Sequence, residues 1–256
     1  MDHPFEDVEI KINAPDLLEK RLASKRIKCM IGTGAMSDPY IPIEESLKIT
    51  RSCFEIIERY GFGLSVQTKS SLILRDLDLL ISINQKAKCV VAMTLTTFDE
   101  NLCKVVEPNV CGTKERFETL KALRNNGINT VVWLSPILPF INDNEENLLG
   151  ILNYCIEAGV YGILCFGMGM TLREGDREYY YEKLDLHFPG LKEKYERTYG
   201  NSYEIPSPHN NELMKTFREI CIRSNIVYDT NSVFSFMHTL DDNAKEKKSD
   251  NQPELF

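Results

Sequence analysis

"GLSVQTKSSLILRDLDLLISINQKAKCVVAMTLTT", residues 63–97, contains two strand-like runs separated by one helix-like pattern. The runs 63–68 and 87–97 are almost continuously apolar rather than alternating, as expected of strands buried on both faces. A helix joining two such strands is the crossover of a parallel sheet. The same unit recurs on either side. Upstream, "IKCMIGT" (27–33) precedes "IEESLKITRSCFEIIERY" (43–60). Downstream come "KERFETLKALRNNG" (114–127), "INTVVWLSPILP" (128–139), "NEENLLGILNYCIEAG" (144–159) and "VYGILCFGM" (160–168). Five strand candidates alternate with helices that end at Gly61, Gly127 and Gly159, each suited to a left-handed helix cap. The fold class is parallel α/β. The pattern leaves an open barrel and a doubly wound sheet as alternatives.

The flanks read differently. "NAPDLLEKRLASK" (13–25) predicts a leading helix, with Asn13 as its cap and Pro15 in the first turn. Residues 171–208, rich in tyrosine and charge, break the repeat and predict short helices over the mouth of the sheet. "NELMKTFREICIRSN" (211–225) predicts a last amphipathic helix, and "IVYDT" (226–230) a short last strand. From Leu240 onward the chain is too polar to build a core, so residues 1–239 read as one folded unit and 240–256 as a tail.

Composition bounds the function. The chain has 256 residues, 43% of them hydrophobic and 27% charged, enough for one sizeable core. Its net charge of −8 argues against a broad phosphate-binding face. No apolar stretch approaches the length of a membrane span, and "MDHPFEDVEIK" lacks the features of a signal peptide, so the expected location is the cytoplasm. The eight cysteines are scattered, with none of the close spacing of a local zinc or iron–sulfur site. Cys29, Cys89 and Cys165 fall inside strand-like runs and read as buried thiols.

In parallel α/β folds ligands bind at the carboxyl ends of the strands. Those ends are 32–38, 67–70, 94–97, 135–139 and 167–169. They are rich in glycine and hydroxyls and include one lysine, Lys69. Gly32 and Gly34 permit a tight turn or a close ligand approach. Ser37 and Asp38 suit a ligand or a helix cap. Thr94, Thr96 and Thr97 are strand formers as well as hydroxyl donors. Lys69 calls for an anionic partner, and no neighbouring carboxylate is obvious in the sequence. The four histidines lie elsewhere, which disfavours hydrolytic or metal–histidine chemistry. The set suits a small zwitterionic or carboxylated molecule.

Several stretches taken in order carry a family resemblance: "KINAPDLL" (11–18), "GTGAMSDPYIPIE" (32–44), "VQTKSSLILRDLDLL" (66–80), "MTLTTFD" (93–99), "EPNVCGTKERFETLKALRNNGI" (107–128) and "LSPILPFIND" (134–143). Together they resemble the radical S-adenosylmethionine (SAM) superfamily and, within it, the spore photoproduct lyase-like branch. "REYYYEKLDLHFPGLKEKY" (177–195) resembles a further block of that branch. The resemblance implies an open (β/α) barrel with one unit more than the five read here. It also implies SAM as cofactor beside a 4Fe–4S cluster, an external electron donor, and a 5′-deoxyadenosyl radical that abstracts hydrogen from a substrate, with DNA repair as one outcome. In that family the residues matching Gly32, Gly34, Ser37, Lys69, Thr94 and Thr96 would hold SAM, with Lys69 on its carboxylate.

Two departures stand out. Ala35 occupies the position where spore photoproduct lyases carry a hydrogen-returning cysteine, leaving neighbours such as Tyr40 to consider for that role. The family's cluster motif, C-x3-C-x2-C, is absent. The expectation from this gap is that Met1 is an internal methionine of a longer protein whose cluster-bearing βα unit lies upstream. The alternative is a cluster-free binding protein for a nucleoside or DNA. The terminus "QPELF" (252–256) resembles sliding-clamp-binding peptides, with Gln252, Leu255 and Phe256 as the gripping residues.

Overall fold

The continuous apolar runs become five hydrogen-bonded parallel strands. A computed structural model describes residues 8–240. After α1 (Ala14–Ser24) come β1 (Met30–Thr33), α2 (Glu44–Leu47), α3 (Ile49–Tyr60) and β2 (Gly63–Thr68). A 3₁₀ turn (Ser71–Asp76) leads into α4 (Leu77–Lys86), followed by β3 (Cys89–Thr94), α5 (Glu100–Val106), α6 (Thr113–Asn125) and β4 (Asn129–Trp133). Then follow α7 (Glu145–Ala158), β5 (Gly162–Leu164), β6 (Gly169–Thr171), α8 (Asp176–His187), α9 (Leu191–Tyr199), β7 (Glu204–Pro206), α10 (Asn210–Arg223) and α11 (Thr230–His238). Gly61, Gly127 and Gly159 take the positive φ expected of helix ends. Residues 241–256, with the clamp-like Gln252, Leu255 and Phe256, lie outside the described residues.

Strand order decides between the two architectures that the sequence left open. The sheet runs β1-β2-β3-β4-β5, every neighbour parallel. A doubly wound sheet reverses its order at a switch point, whereas this one steps in a single direction. Right-handed crossovers then put the connecting helices on one face. The core agrees: Leu64, Val66, Val91, Met93, Val132 and Ile163 pack with Phe54, Leu120, Ile151 and Phe217 in one cluster. Their strand neighbours Val90, Ala92, Val131 and Leu164 form a second cluster on the opposite face, covered by Val233 and Met237 of α11.

That helix gives the sheet its shape. It touches both edge strands, β1 and β5. Nine helical residues span about 13 Å, while β1 and β5 in a flat sheet would stand about 19 Å apart. Contact with both edges agrees with a curled sheet, a partial open barrel with α11 on the face opposite the crossover helices. Gly162 makes the approach possible, because a Cβ there would lie 2.8 Å from Val227 O and 2.9 Å from Val233 Cγ2. The expected strand at 226–230 is a single parallel bridge, Gly162 to Val227.

Other sequence-based expectations need correction. The helix expected over 43–60 breaks at Lys48, which adopts a left-handed conformation between α2 and α3. Asn13 makes no side-chain cap. α5 and α11 have no counterpart in the sequence reading, although Asp99 and Asp229 cap them through Leu102 N and Ser232 N. The segment 171–208 contributes α8 and α9 and also β7, which pairs antiparallel with β6 at its leading edge. It builds its own small core of Leu172, Tyr181, Leu184, Tyr195 and Ile205. Tyr195 joins that core to the sheet by donating its hydroxyl to Pro139 O, 2.6 Å away, just beyond β4.

Candidate functional site

The loop after β1 is organised by Asp38. Its Oδ1 accepts from Tyr40 N at 2.9 Å and from Thr68 Oγ1 at 2.7 Å, and its Oδ2 accepts from Lys69 N at 2.7 Å. The carboxylate thus fastens the end of β1 to the end of β2, and it caps no helix. Gly34 has φ +95, and a Cβ there would lie 1.9 Å from Gln67 O. Its glycine is required by the neighbouring strand. Gly32 meets open space instead. Ala35, Met36 and Ser37 stand exposed at the tip of this loop. Tyr40 is buried and donates to Asp76 Oδ2 at 3.1 Å; burial first, then Asp76, pushes its hydroxyl far above the ordinary tyrosine range. Tyr40 thus ties this loop to Asp76 from inside the fold.

Lys69 has the carboxylate partner that the sequence did not reveal. Its Nζ pairs with Glu107 Oε1, while Glu107 Oε2 accepts from Arg116 Nη1 at 2.8 Å. Arg116 has a fully buried side chain and donates to Cys111 O at 2.8 Å and Thr94 O at 3.0 Å. Its Nη2 is buried without a partner. Burial works to raise the Glu107 carboxyl pKa, but Lys69 and Arg116 outweigh it and hold the group below the usual carboxylate value. Lys69 keeps 35% of its side chain exposed. Two cations thus share one carboxylate at the carboxyl ends of β2 and β3.

Thr94 and Thr96 are buried on the neighbouring strand end. Residues that the sequence reading missed fix their backbone. Asn142 Nδ2 donates to Thr96 O at 3.1 Å and to Thr97 Oγ1 at 3.0 Å, and Asn147 Nδ2 donates to Thr96 O at 2.9 Å. These amides stitch the loop after β3 to the loop after β4. Asparagines following a strand end in "FINDNEEN" (140–147) were the available signal. Strand order thus places Gly32 and Ser37, Lys69, and Thr94 and Thr96 on three consecutive strand ends.

The far end of the row is chemically different. Beyond β4 and β5 a cleft of about 640 Å³ opens between the strand ends and the β6–β7 ribbon. Trp133 and Phe166 form its wall, with ring centroids 5.4 Å apart, and Phe234 of α11 backs them at 6.0 and 6.2 Å.

A cluster was tested against the thiols present. All eight cysteines of the sequence lie within 8–240, all are free, and burial pushes the Cys53 and Cys165 thiols up to about 11. Among the described residues no three Cys, His, Asp or Glu side chains converge on a metal position. These residues do not fit a 4Fe–4S cluster. Among the same residues, no helix is long and apolar enough to cross a membrane.

A curled, singly wound parallel sheet defines a partial (β/α) barrel, a fold class whose ligands sit at the carboxyl ends of the strands. The chain belongs to the radical SAM superfamily, whose family model matches residues 9–155. It is 33% identical over 201 residues to an uncharacterized protein of Methanocaldococcus jannaschii, covering 78% of this chain and 66% of that one. It is 28% identical over 211 residues to an uncharacterized protein of Mycobacterium tuberculosis, covering 81% of this chain and 61% of the relative. The chain thus spans less than two thirds of the length of these relatives. In fold it is similar to a point variant of spore photoproduct lyase, with a TM-score of 0.59 at 13% identity, covering 84% of this chain and 65% of the other. Spore photoproduct lyase complexed with dinucleoside spore photoproduct gives 0.55 at 12% identity, with the same coverage.

Proposed function

We propose that the carboxyl ends of β1–β3 bind S-adenosylmethionine, and that the chain serves a radical SAM reaction related to that of the spore photoproduct lyase branch. The described residues do not fit a 4Fe–4S cluster, so the electron that such a reaction needs would have to reach SAM from outside them; DNA is among the candidate substrates. The residues described here would hold the cofactor's amino-acid tail. Lys69 would face its carboxylate, Ser37, Thr94 and Thr96 would contribute hydroxyls, and Gly32 would leave room beside the nucleoside. The observation that carries this reading is the Lys69–Glu107–Arg116 cluster, where two cations share one carboxylate and Lys69 is partly exposed. A surplus positive charge at a strand end favours an anion that brings acceptor oxygens.

Calorimetric titration of the full chain with SAM tests it. Lys69→Met should weaken binding about tenfold, less than the loss of a fully dry charge-assisted pair, because Lys69 is 35% exposed and water screens part of its charge. Lys86→Met should leave binding unchanged, because Lys86 pairs with Glu58 away from the strand ends. Equal effects of the two variants would refute the assignment.

A second reading, a cluster-free protein that binds a nucleoside or DNA, is favoured by the failure of the described side chains to converge on a metal position. Anaerobic reconstitution of the full chain with iron and sulfide bears on both readings. Stoichiometric iron would favour the enzyme reading and overturn the misfit of these thiols, whereas an iron-free chain is expected of both readings and leaves SAM affinity as the readout that separates them.

A further inference from the structure

Arg116 is anchored, and yet part of it is idle. Its Nε donates to Cys111 O at 2.8 Å, and its Nη1 donates to Thr94 O at 3.0 Å and to Glu107 Oε2 at 2.8 Å. Nη2 is the one side-chain nitrogen among the described residues that is buried without a hydrogen-bond partner. Buried donors are nearly always paired, so an idle one calls for an explanation. A guanidinium ordinarily meets a carboxylate through two parallel N–H···O bonds. Here the second oxygen is taken: Glu107 Oε1 pairs with Lys69 Nζ, which leaves Arg116 one arm of a two-armed pair. The three groups also differ in what can move. Two backbone carbonyls hold the guanidinium in place, and its side chain has no exposed surface. The Glu107 backbone is fixed too, since its N–H donates to Cys103 O at 2.8 Å at the end of α5. Its carboxylate turns about side-chain bonds alone, and Lys69 lies at the solvent boundary. The contact able to break is the one between Lys69 and Glu107.

We infer that Glu107 stands in for the ligand's carboxylate while the site is empty, and that ligand binding hands it from Lys69 to the idle Nη2 of Arg116. This inference deepens the SAM reading and rests on it. Lys69 gives its N–H to the incoming carboxylate. Glu107 Oε1 loses that bond and gains one from Nη2, so Arg116 and Glu107 close into a fork. No proton moves, and two cations sharing one carboxylate become two matched pairs. Lys69 is partnered before and after the exchange, so the empty site never holds a bare cation. The arrangement also selects: a ligand without a carboxylate cannot displace Glu107 and gains nothing from Lys69. Glu107 and Arg116 are thus positioning residues that act on the ligand through Lys69.

Paired titrations of the full chain with SAM and with decarboxylated SAM, which keeps the sulfonium and the amine, test the exchange. The readout is the ratio of the two dissociation constants within each protein, in which any loss of folded protein cancels. The parent should prefer SAM, and Lys69→Met should abolish that preference. Glu107→Gln should widen the preference about fivefold, the scale of one partly screened ion pair that the ligand no longer has to break. Arg116→Lys keeps the charge but offers no second arm, so it should narrow the preference. A merely structural role for Glu107 or Arg116 would move both constants together and leave the ratio at the parent's value. An unchanged or narrowed preference in Glu107→Gln overturns the inference; if that variant does not fold, an Arg116→Lys ratio equal to the parent's overturns it. A parent that does not prefer SAM, or a preference that survives Lys69→Met, refutes the SAM reading itself, and the inference falls with it.

Discussion

Two charge clusters flank the loop that follows β1, and their stoichiometry differs. In the first, Asp76 has no exposed side chain and accepts from Arg51 Nη1 at 3.0 Å and Arg75 Nη2 at 2.8 Å. Arg75 also reaches Glu44 at 2.9 Å, and Arg51 reaches Asp78 at 2.7 Å. Two guanidinium groups meet four carboxylates, the fourth being Glu55 at 3.5 Å from Arg51 Nε, and Tyr40 adds a hydroxyl. In the second, Lys69 and Arg116 meet only Glu107, and one Arg116 nitrogen is unpaired. The first cluster satisfies itself and fixes the loop. The second keeps positive charge in reserve and holds its lysine at the solvent boundary. A buried ion group built for stability tends to close on itself, whereas one that serves a ligand is left open on the ligand's side.

Breaking the closed cluster should have the largest effect. Asp76→Ala removes the buried carboxylate that two arginines share, leaving Arg75 only Glu44 and Arg51 its partly exposed partners, and it removes the acceptor of Tyr40, so the loss should be about 3 kcal/mol. For a chain of this size that lowers the melting temperature by on the order of 10 °C. A thermal or urea melt measures it, and a loss below about 1 kcal/mol would place the cluster among ordinary surface pairs. SAM affinity, corrected for the folded fraction, should hold, since this cluster has no surplus charge to offer.

The open cluster divides its roles between two cations. Arg116→Met leaves Thr94 O, Cys111 O and one Glu107 oxygen without a donor, which should cost about 2–3 kcal/mol. Arg116→Lys keeps the charge but lacks the fork that reaches all three acceptors, so it should recover only part of that loss. Full recovery in a denaturant melt would mean that charge alone sustains the cluster and that its geometry is incidental.

The comparison also explains what the sequence made legible. The five strands were readable because crossover helices bury both faces, which writes each strand as one apolar run. Lys69 was readable because a lone cation at a strand end is conspicuous. Glu107 was not, since it lies beyond α5, a helix the sequence reading missed, and only the return of the chain into α6 carries Arg116 beside it. The aromatic wall escaped for a similar reason. Trp133 and Phe166 each end an apolar strand and read as core, and only the curl of the sheet with α11 behind it turns them toward a cleft. Gly34 was readable as necessary, with a tight turn and a close ligand approach as alternatives, and its positive φ and the Gln67 backbone beside it favour the turn.

The smallest expected effect concerns pH and tests the sign of the open cluster directly. The Glu107 carboxyl starts from an ordinary value of 4.5 and is lowered in the fold, where burial opposes ionisation but Lys69 and Arg116 prevail. A folded value below the unfolded one means that the unfolded chain binds the proton first as the solution is acidified. The stabilisation is therefore fully present above 4.5 and is lost as the pH falls through the lower folded value. Glu107→Gln should be less stable than the parent near neutrality, and the gap should narrow steadily once the pH drops below 4.5. Denaturant melts across the acid range measure this, and two curves that stay parallel would show that Glu107 is not the group holding the two cations together. Half of this cluster's charge pairing rests on Lys69, which water partly screens, so the change should be smaller than that from Asp76. The same screening keeps Lys69 able to exchange Glu107 for an incoming carboxylate, and added salt should therefore weaken SAM binding in the parent more than in Lys69→Met.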